Sequence, residues 1–161
     1  MLWFIVFCSL MIVVNVILMA TTRSSRRMHS SRPSENTDSL SIEQAQARVE
    51  KIIAQENKIL VKHANARTHE LNQLGQVTRE FFSRYSELRI NGGFCLLMKD
   101  IKPSDYMHGY LSIGHSEDWD IVQRPGDDEV FIVEGSETSE DEMDVRFPSV
   151  YHLILDACEA R

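Results

Sequence analysis

His108, His115, Asp118 and Asp120 lie close together in the sequence. Such side chains can hold zinc, and a catalytic zinc takes three protein ligands and keeps one position open. The two histidines do not stand at the i, i+4 spacing of one helix face, and no HExxH occurs. Polar loop residues flanking a strand are the plainer reading, and a small hydrolase built on this cluster ranks third among the functions considered. Asp127, Asp128 and Glu129 could attract Ca²⁺, but they lack EF-hand spacing. Aspartate after Pro125-Gly126 ordinarily makes a turn. The chain has no G-x-S-x-G, no Walker A loop, no GxGxxG and no CxxC. His152, in an apolar C-terminal run, reads as a half-buried or surface residue and not as a base. No catalytic residue, metal or cofactor is expected.

Binding is the chemistry that remains. Trp119 sits among Glu117, Asp118 and Asp120. Tryptophan is enriched at interface hot spots, although a core position in a strand suits it as well. Glu140, Asp141 and Glu142 form a second acidic cluster. These seven residues, Glu117, Asp118, Trp119, Asp120, Glu140, Asp141 and Glu142, are the candidate partner-binding set. The net charge is −7, and residues 117–144 carry one base, Arg124, among a dozen acids. Neutralising phosphates needs lysine and arginine, so nucleic acid is excluded as a partner. A basic protein is the partner such a charge would steer.

The elements that must position these residues lie in residues 109–135. Tyr110 to Ile113, Trp119 to Val122 and Val130 to Val133 are short apolar runs ended by Gly114, by Pro125-Gly126-Asp127-Asp128 and by Gly135. Such runs between turn residues predict strands of one antiparallel sheet. Residues 94–98 predict a further buried strand, 99–109 a loop, and 143–147 an edge strand. Residues 134–144 carry six acids in eleven positions and read as a solvated loop. Pro148 suits the first turn of a last helix with Val150, Leu153, Ile154 and Ala157 on one face.

Upstream, Ser41 and Gln44 form a capping box that opens a long amphipathic helix over 40–73. One stripe is Ile42, Ala45, Val49, Ile52 and Ile59; a neighbouring one is Ile53, Leu60, Ala64, Leu71 and Leu74. The segment suits either a coiled-coil homodimer through 41–73 or a single helix packed on its own domain. After Gly75, the residues Val77, Phe81, Phe82, Tyr85 and Leu88 predict a second helix, with Asn91-Gly92-Gly93 as its C-cap.

Residues 2–20 carry no charge and predict a transmembrane helix, which at about 1.5 Å per residue nearly crosses a ~30 Å hydrocarbon core. No base precedes this run, and Arg23, Arg26, Arg27 and Arg32 follow it. The absent basic n-region and the long apolar core argue against a cleaved signal peptide. The arginines place the C-terminal side in the cytoplasm by the positive-inside rule. Residues 21–39, rich in Ser, Thr and Arg, read as a polar basic linker. The three cysteines, Cys8, Cys95 and Cys158, show no metal or disulfide spacing, and Cys95–Cys158 is the one intrachain bridge left open outside the anchor.

From residue 74 on, several short motifs resemble one family. Leu74-Gly75, Phe81-Phe82-x-x-Tyr85 with Asn91-Gly92-Gly93, Tyr110-Leu-Ser-Ile-Gly, Asp128-Glu-Val-Phe-Ile-Val and Phe147-Pro-Ser-Val-Tyr-His-Leu-Ile-Leu come in an order that resembles the SUKH (SMI1/KNR4) superfamily over residues 74–155. The family's Pro after "LG" is missing, and the spacing from Tyr85 to Asn91 is longer than its pattern. The resemblance implies an α+β domain over 74–161 with a mixed sheet and helices on one side. It also implies a protein-binding module, whose bacterial relatives are often immunity proteins, and it brings no catalytic residue.

The expectation is therefore an α+β domain with a small mixed or antiparallel sheet and packed helices, behind a transmembrane helix and a long amphipathic one. Its function would be that of a membrane-anchored protein-binding module with an acidic docking face, immunity-like if the family resemblance extends to use. The alternative is a structural, membrane-tethered coiled-coil protein whose C-terminal domain caps the helix.

Overall fold

A computed structural model of the chain describes residues 39–55, 59–64, 69–90, 93–116, 119–134 and 145–159. The expected membrane anchor, nearly all of the linker and the acidic loop from residue 135 on lie outside them. Among the described residues no helix is long and apolar enough to cross a membrane.

The fold is α+β. Its elements are α1 (Ile42–Gln55), β1 (Ile59–His63), a 3-10 turn (His69–Gln73), α2 (Gln76–Arg84), β2 (Tyr85–Ile90), β3 (Phe94–Leu97), a 3-10 turn (Met98–Asp100), β4 (Lys102–Pro103), β5 (Leu111–Ser116), β6 (Trp119–Gln123), β7 (Val130–Glu134), β8 (Val145–Phe147) and α3 (Val150–Glu159). The strands form one sheet in the order β1-β2-β3-β5-β6-β7-β8, with β4 also on β5. Every pairing is antiparallel, so the mixed sheet implied by the family resemblance is not what forms.

The strands expected over 109–135 are β5, β6 and β7, and the expected edge strand is β8. The long helix is corrected. Ser41 and Gln44 do make the capping box, through Gln44 N to Ser41 Oγ at 3.3 Å and Ser41 N to Gln44 Oε1 at 3.0 Å. The helix then ends at Gln55, and Ile59–His63 pairs with β2 as a strand. Three apolar residues, two of them β-branched, gain a cross-strand neighbour there, which outweighs the helix propensity of the surrounding Lys, Glu and Ala. Ala45 and Val49, the stripe left open to a dimer, are fully buried, and α1 packs on α3.

The second helix is shorter than expected for the same reason. It stops at Arg84, Tyr85 turns extended, and the chain runs on as β2 to Ile90. Leu88 and Ile90 face the core while Glu87 and Arg89 face the other way, and β2 is paired on both sides. The C-cap expected at 91–93 therefore does not form as expected, since the helix it would end stops at Arg84 and β2 runs on to Ile90. Pro148 precedes α3 instead of entering it, and Ser149 takes the cap position, with Leu153 N donating to Ser149 O at 3.2 Å.

One apolar core joins all three helices to a single face of the sheet. Ala45 and Val49 of α1, Phe81 and Phe82 of α2, and Val150, Leu153 and Ile154 of α3 meet Leu88, Leu96, Ile113, Ile121 and Val130. Phe81 sits edge-on to both Phe82 and Tyr151. The Tyr151 phenol is pushed up to about 12 by burial. His152 is fully buried, not half-exposed. Its Nε2 lies 3.1 Å from Leu40 O and its Nδ1 2.8 Å from Ser149 Oγ. A carbonyl only accepts, so Nε2 carries a proton and donates to Leu40 O. Cys95 and Cys158 are not bridged to each other. Cys158 packs against the helix-side core, whereas Cys95 contacts Arg89 on the other face, so the bridge left open by the sequence is not made.

The turn after β6 locks α2 in place. Asp127 N bonds Arg124 O, and Pro125-Gly126 occupies the corner with Gly126 at φ 79°, the geometry of a type II turn. Gly126 N reaches Gln73 O at 2.9 Å, and Asp128 Oδ1 accepts from Val77 N at 2.8 Å. Asp128 thus serves as the N-cap side chain of a helix 51 residues earlier, because Gly75 at the cap position has none. A Cβ on Gly75 would lie 2.1 Å from Asp127 O. Asp128→Ala is expected to cost about 1 kcal/mol as a lost cap. Gly75→Ala is expected to cost about 1–3 kcal/mol as overpacking against backbone. Urea unfolding midpoints check both, and a wild-type midpoint for Gly75→Ala would contradict this packing.

Candidate functional site

Strand alternation sends every second side chain away from the helices. Register puts Leu60, Arg89, Cys95, His115, Asp120 and Val133 in one row across that second face. Lys62 and Glu87 stand beside it. Glu87 is nearly buried, with Lys62 Nζ 2.6 Å from one oxygen and Arg89 Nε 2.5 Å from the other. The guanidinium also reaches Cys95 Sγ at 3.5 Å. At the far end Met107, Tyr110, Val122, Phe131 and Val133 make a small second core. Arg124 lies over Tyr110 and Arg146 over Phe131, 5.5 and 5.3 Å from the ring centres.

Between these two regions lies an open cleft of about 510 Å³. Its floor holds Ser112 and Asp120, at the bulge where β5 slips against β6. Its wall comes from the segment after β3, which supplies Asp100, Lys102, Asp105 and Tyr106. His115 and Lys99 stand at its edge, both exposed.

Asp120 is the best-positioned group. Ser112 Oγ donates to its Oδ1 at 2.5 Å and Ser104 Oγ to its Oδ2 at 2.9 Å. Ser104 is fixed in turn, because its Oγ accepts from the backbone N–H of Tyr106 and of Met107. A half-buried carboxylate is thereby held in one orientation by two neutral hydroxyls. Lys102 instead pairs with Asp105 at 2.5 Å on the rim. The Asp105 hydrogen bond and charge, with a smaller push from Asp120, hold the Lys102 ammonium above the usual lysine value.

This arrangement is suited to binding. Ser112 bonds Asp120 directly with no imidazole between them, which is not the order of a Ser-His-Asp relay. Among the described residues no three His, Cys, Asp or Glu side chains converge as a metal site. His108 is exposed on its loop, and Asp118 lies outside the described residues. The buried His152 is held by Ser149 and Leu40 on the helix side of the sheet, away from the cleft.

Of the seven residues singled out by sequence, Asp120 lines the cleft, whereas Trp119, half-buried at the start of β6 opposite Glu134, does not line it and by alternation shares the face of Ile121. Glu117, Asp118, Glu140, Asp141 and Glu142 lie outside the described residues. Sequence reasoning missed Ser104, Ser112, Lys102, Asp105 and Tyr106. The alternation of Ser112 with Leu111 and Ile113 signalled an outward side chain; nothing local linked 99–109, read as a loop, to the strands.

No family model, curated protein or solved structure matches the chain. The resemblance to the SUKH superfamily therefore stands on its short motifs.

The Lys62 and Arg89 contacts, Lys62 first, hold the Glu87 carboxyl below its ordinary 4.5. A depressed carboxyl stabilises the fold above its unfolded value and loses that contribution as pH falls through the folded one. Glu87→Gln is expected to be less stable than wild type at pH 7, with the gap closing as the pH drops below about 4.5. Urea titrations at both ends check this; a gap independent of pH would contradict it.

Proposed function

We propose that the chain is a protein-binding module, held at a membrane by residues 2–20, with its α+β domain on the cytoplasmic side and no catalytic activity. It docks a basic protein partner through the sheet face that α1, α2 and α3 leave uncovered and through the acidic residues of 117–144. The observation that carries this reading is the one-sided packing. All three helices cover one face, while the opposite face presents a cleft with a carboxylate fixed from behind by Ser104 and Ser112. Preorganised acceptors lower the ordering cost of binding. The acid surplus of residues 117–144 would raise the encounter rate with a basic surface. Similarity to the SUKH superfamily, whose members bind proteins and include immunity proteins, agrees with this use of the fold.

The test is capture of partners from a native lysate by the full chain in detergent. Glu117→Lys with Asp118→Lys, and Glu140→Lys with Asp141→Lys and Glu142→Lys, are compared with wild type and with a control reversal at Glu159. The first two sets are expected to lose the partner, and raised salt to weaken capture by wild type. Undiminished capture by both sets would contradict the acidic docking face.

A further inference from the structure

We infer that the cleft at Asp120 receives the guanidinium of an arginine side chain from the protein partner, with Asp120 as its counter-ion. The inference rests on the protein-binding reading above and names the group that reading would place in the cleft.

Ionised groups withdrawn from water are ordinarily paired. Asp120 and Asp100 are both half-buried and line the cleft, yet among the described residues neither has a cation within ion-pair distance. Ser112 and Ser104 orient Asp120 without neutralising it. The nearest internal cation, Lys102, is held at the rim by Asp105. Each Asp120 oxygen keeps a second lone pair for a donor entering from the cleft.

The rest of the lining selects among cations. Tyr106 is 46% exposed, one of two large hydrophobic side chains left so open among the described residues. A planar guanidinium can stack on its ring while its fork reaches a carboxylate, which the compact lysine ammonium does less well. The cleft, at about 510 Å³, is roomy enough for an arginine and part of its flanking backbone. An anionic ligand would instead set its charge against Asp100 and Asp120 and find in return the exposed Lys99 and His115 and the already paired Lys102.

The test titrates the full chain in detergent with N-acetyl-arginine methylamide and with its neutral isostere, N-acetyl-citrulline methylamide. Binding is followed by the amide NMR signals of Ser112, His115 and Asp120. The arginine derivative is expected to give saturable shifts and the citrulline derivative to bind about tenfold more weakly, the loss of one charge-assisted contact. Asp120→Asn is expected to weaken arginine binding about tenfold, and Tyr106→Ala about threefold. Equal binding of the two derivatives, or the absence of saturable shifts, overturns the proposal. Unchanged affinity in Asp120→Asn does the same; if that variant does not fold, unchanged affinity in Tyr106→Ala decides against it, since that ring stands in solvent. A chain that captures its partner equally well with Asp120→Asn keeps the docking reading and loses the arginine cleft. A chain that binds the arginine derivative but captures no partner does the reverse.

Discussion

The period-two alternation of the sheet, with α1, α2 and α3 all packed on one face, constrains the rest of the described structure. Leu88, Ile90, Leu96, Ile121 and Val130 point one way and meet α1, α2 and α3. Their strand neighbours Glu87, Arg89, Cys95, Asp120 and Phe131 must then point the other way. A one-residue slip of β6 would bury Asp120 under the helices and expose Ile121. Register is therefore strongly specified. The β5 bulge, where the pairing shifts between Ser112 and Gly114, keeps Ser112 on the face of Asp120 while Ile113 stays in the core.

On the polar face Glu87 and Lys102 are neutralised and Asp120 is oriented. Glu87 takes a cation on each oxygen, Lys102 takes Asp105, and the rings of Tyr110 and Phe131 lie under arginines. Its described residues are mixed in charge, so the acidic character read from the sequence belongs to residues 117–144 as a stretch more than to this sheet surface. Asp120 stands apart, fixed by hydroxyls and not by a base. That difference makes the cleft, and not the charged row beside it, the place where a partner group has something to add.

Much of the sheet was legible because its strands are short, apolar and bounded by turn residues. The runs at Leu111, Trp119 and Val130, the edge strand at Val145 and the helix from Val150 all stand where local pattern puts them. Three strands were not legible. Lys102–Pro103 lies in a stretch that reads as a loop. Ile59 to His63 and Tyr85 to Ile90 adjoin strong helix formers with no Gly or Pro between, and pairing with each other, and of β2 with β3, makes them extended. The Ile59-Leu60-Val61 run and the Leu88, Ile90 alternation were the available signals. The cap that Asp128 supplies to α2 was invisible, because PGDD reads locally as a turn and its partner is Val77. The candidate site was half legible. Asp120 stood out by charge, whereas Ser104 and Ser112 gain meaning only when the loop after β4 folds against β5 and β6.

The central claim is that a partner docks on the sheet face that α1, α2 and α3 leave uncovered. Amide hydrogen exchange of the full chain, free and with its captured partner, tests it most directly. The account expects new protection in β5, β6 and the segment from Lys99 to Tyr106, with α1 and α3 unchanged. Protection confined to the outward sides of α1 and α3 would contradict it.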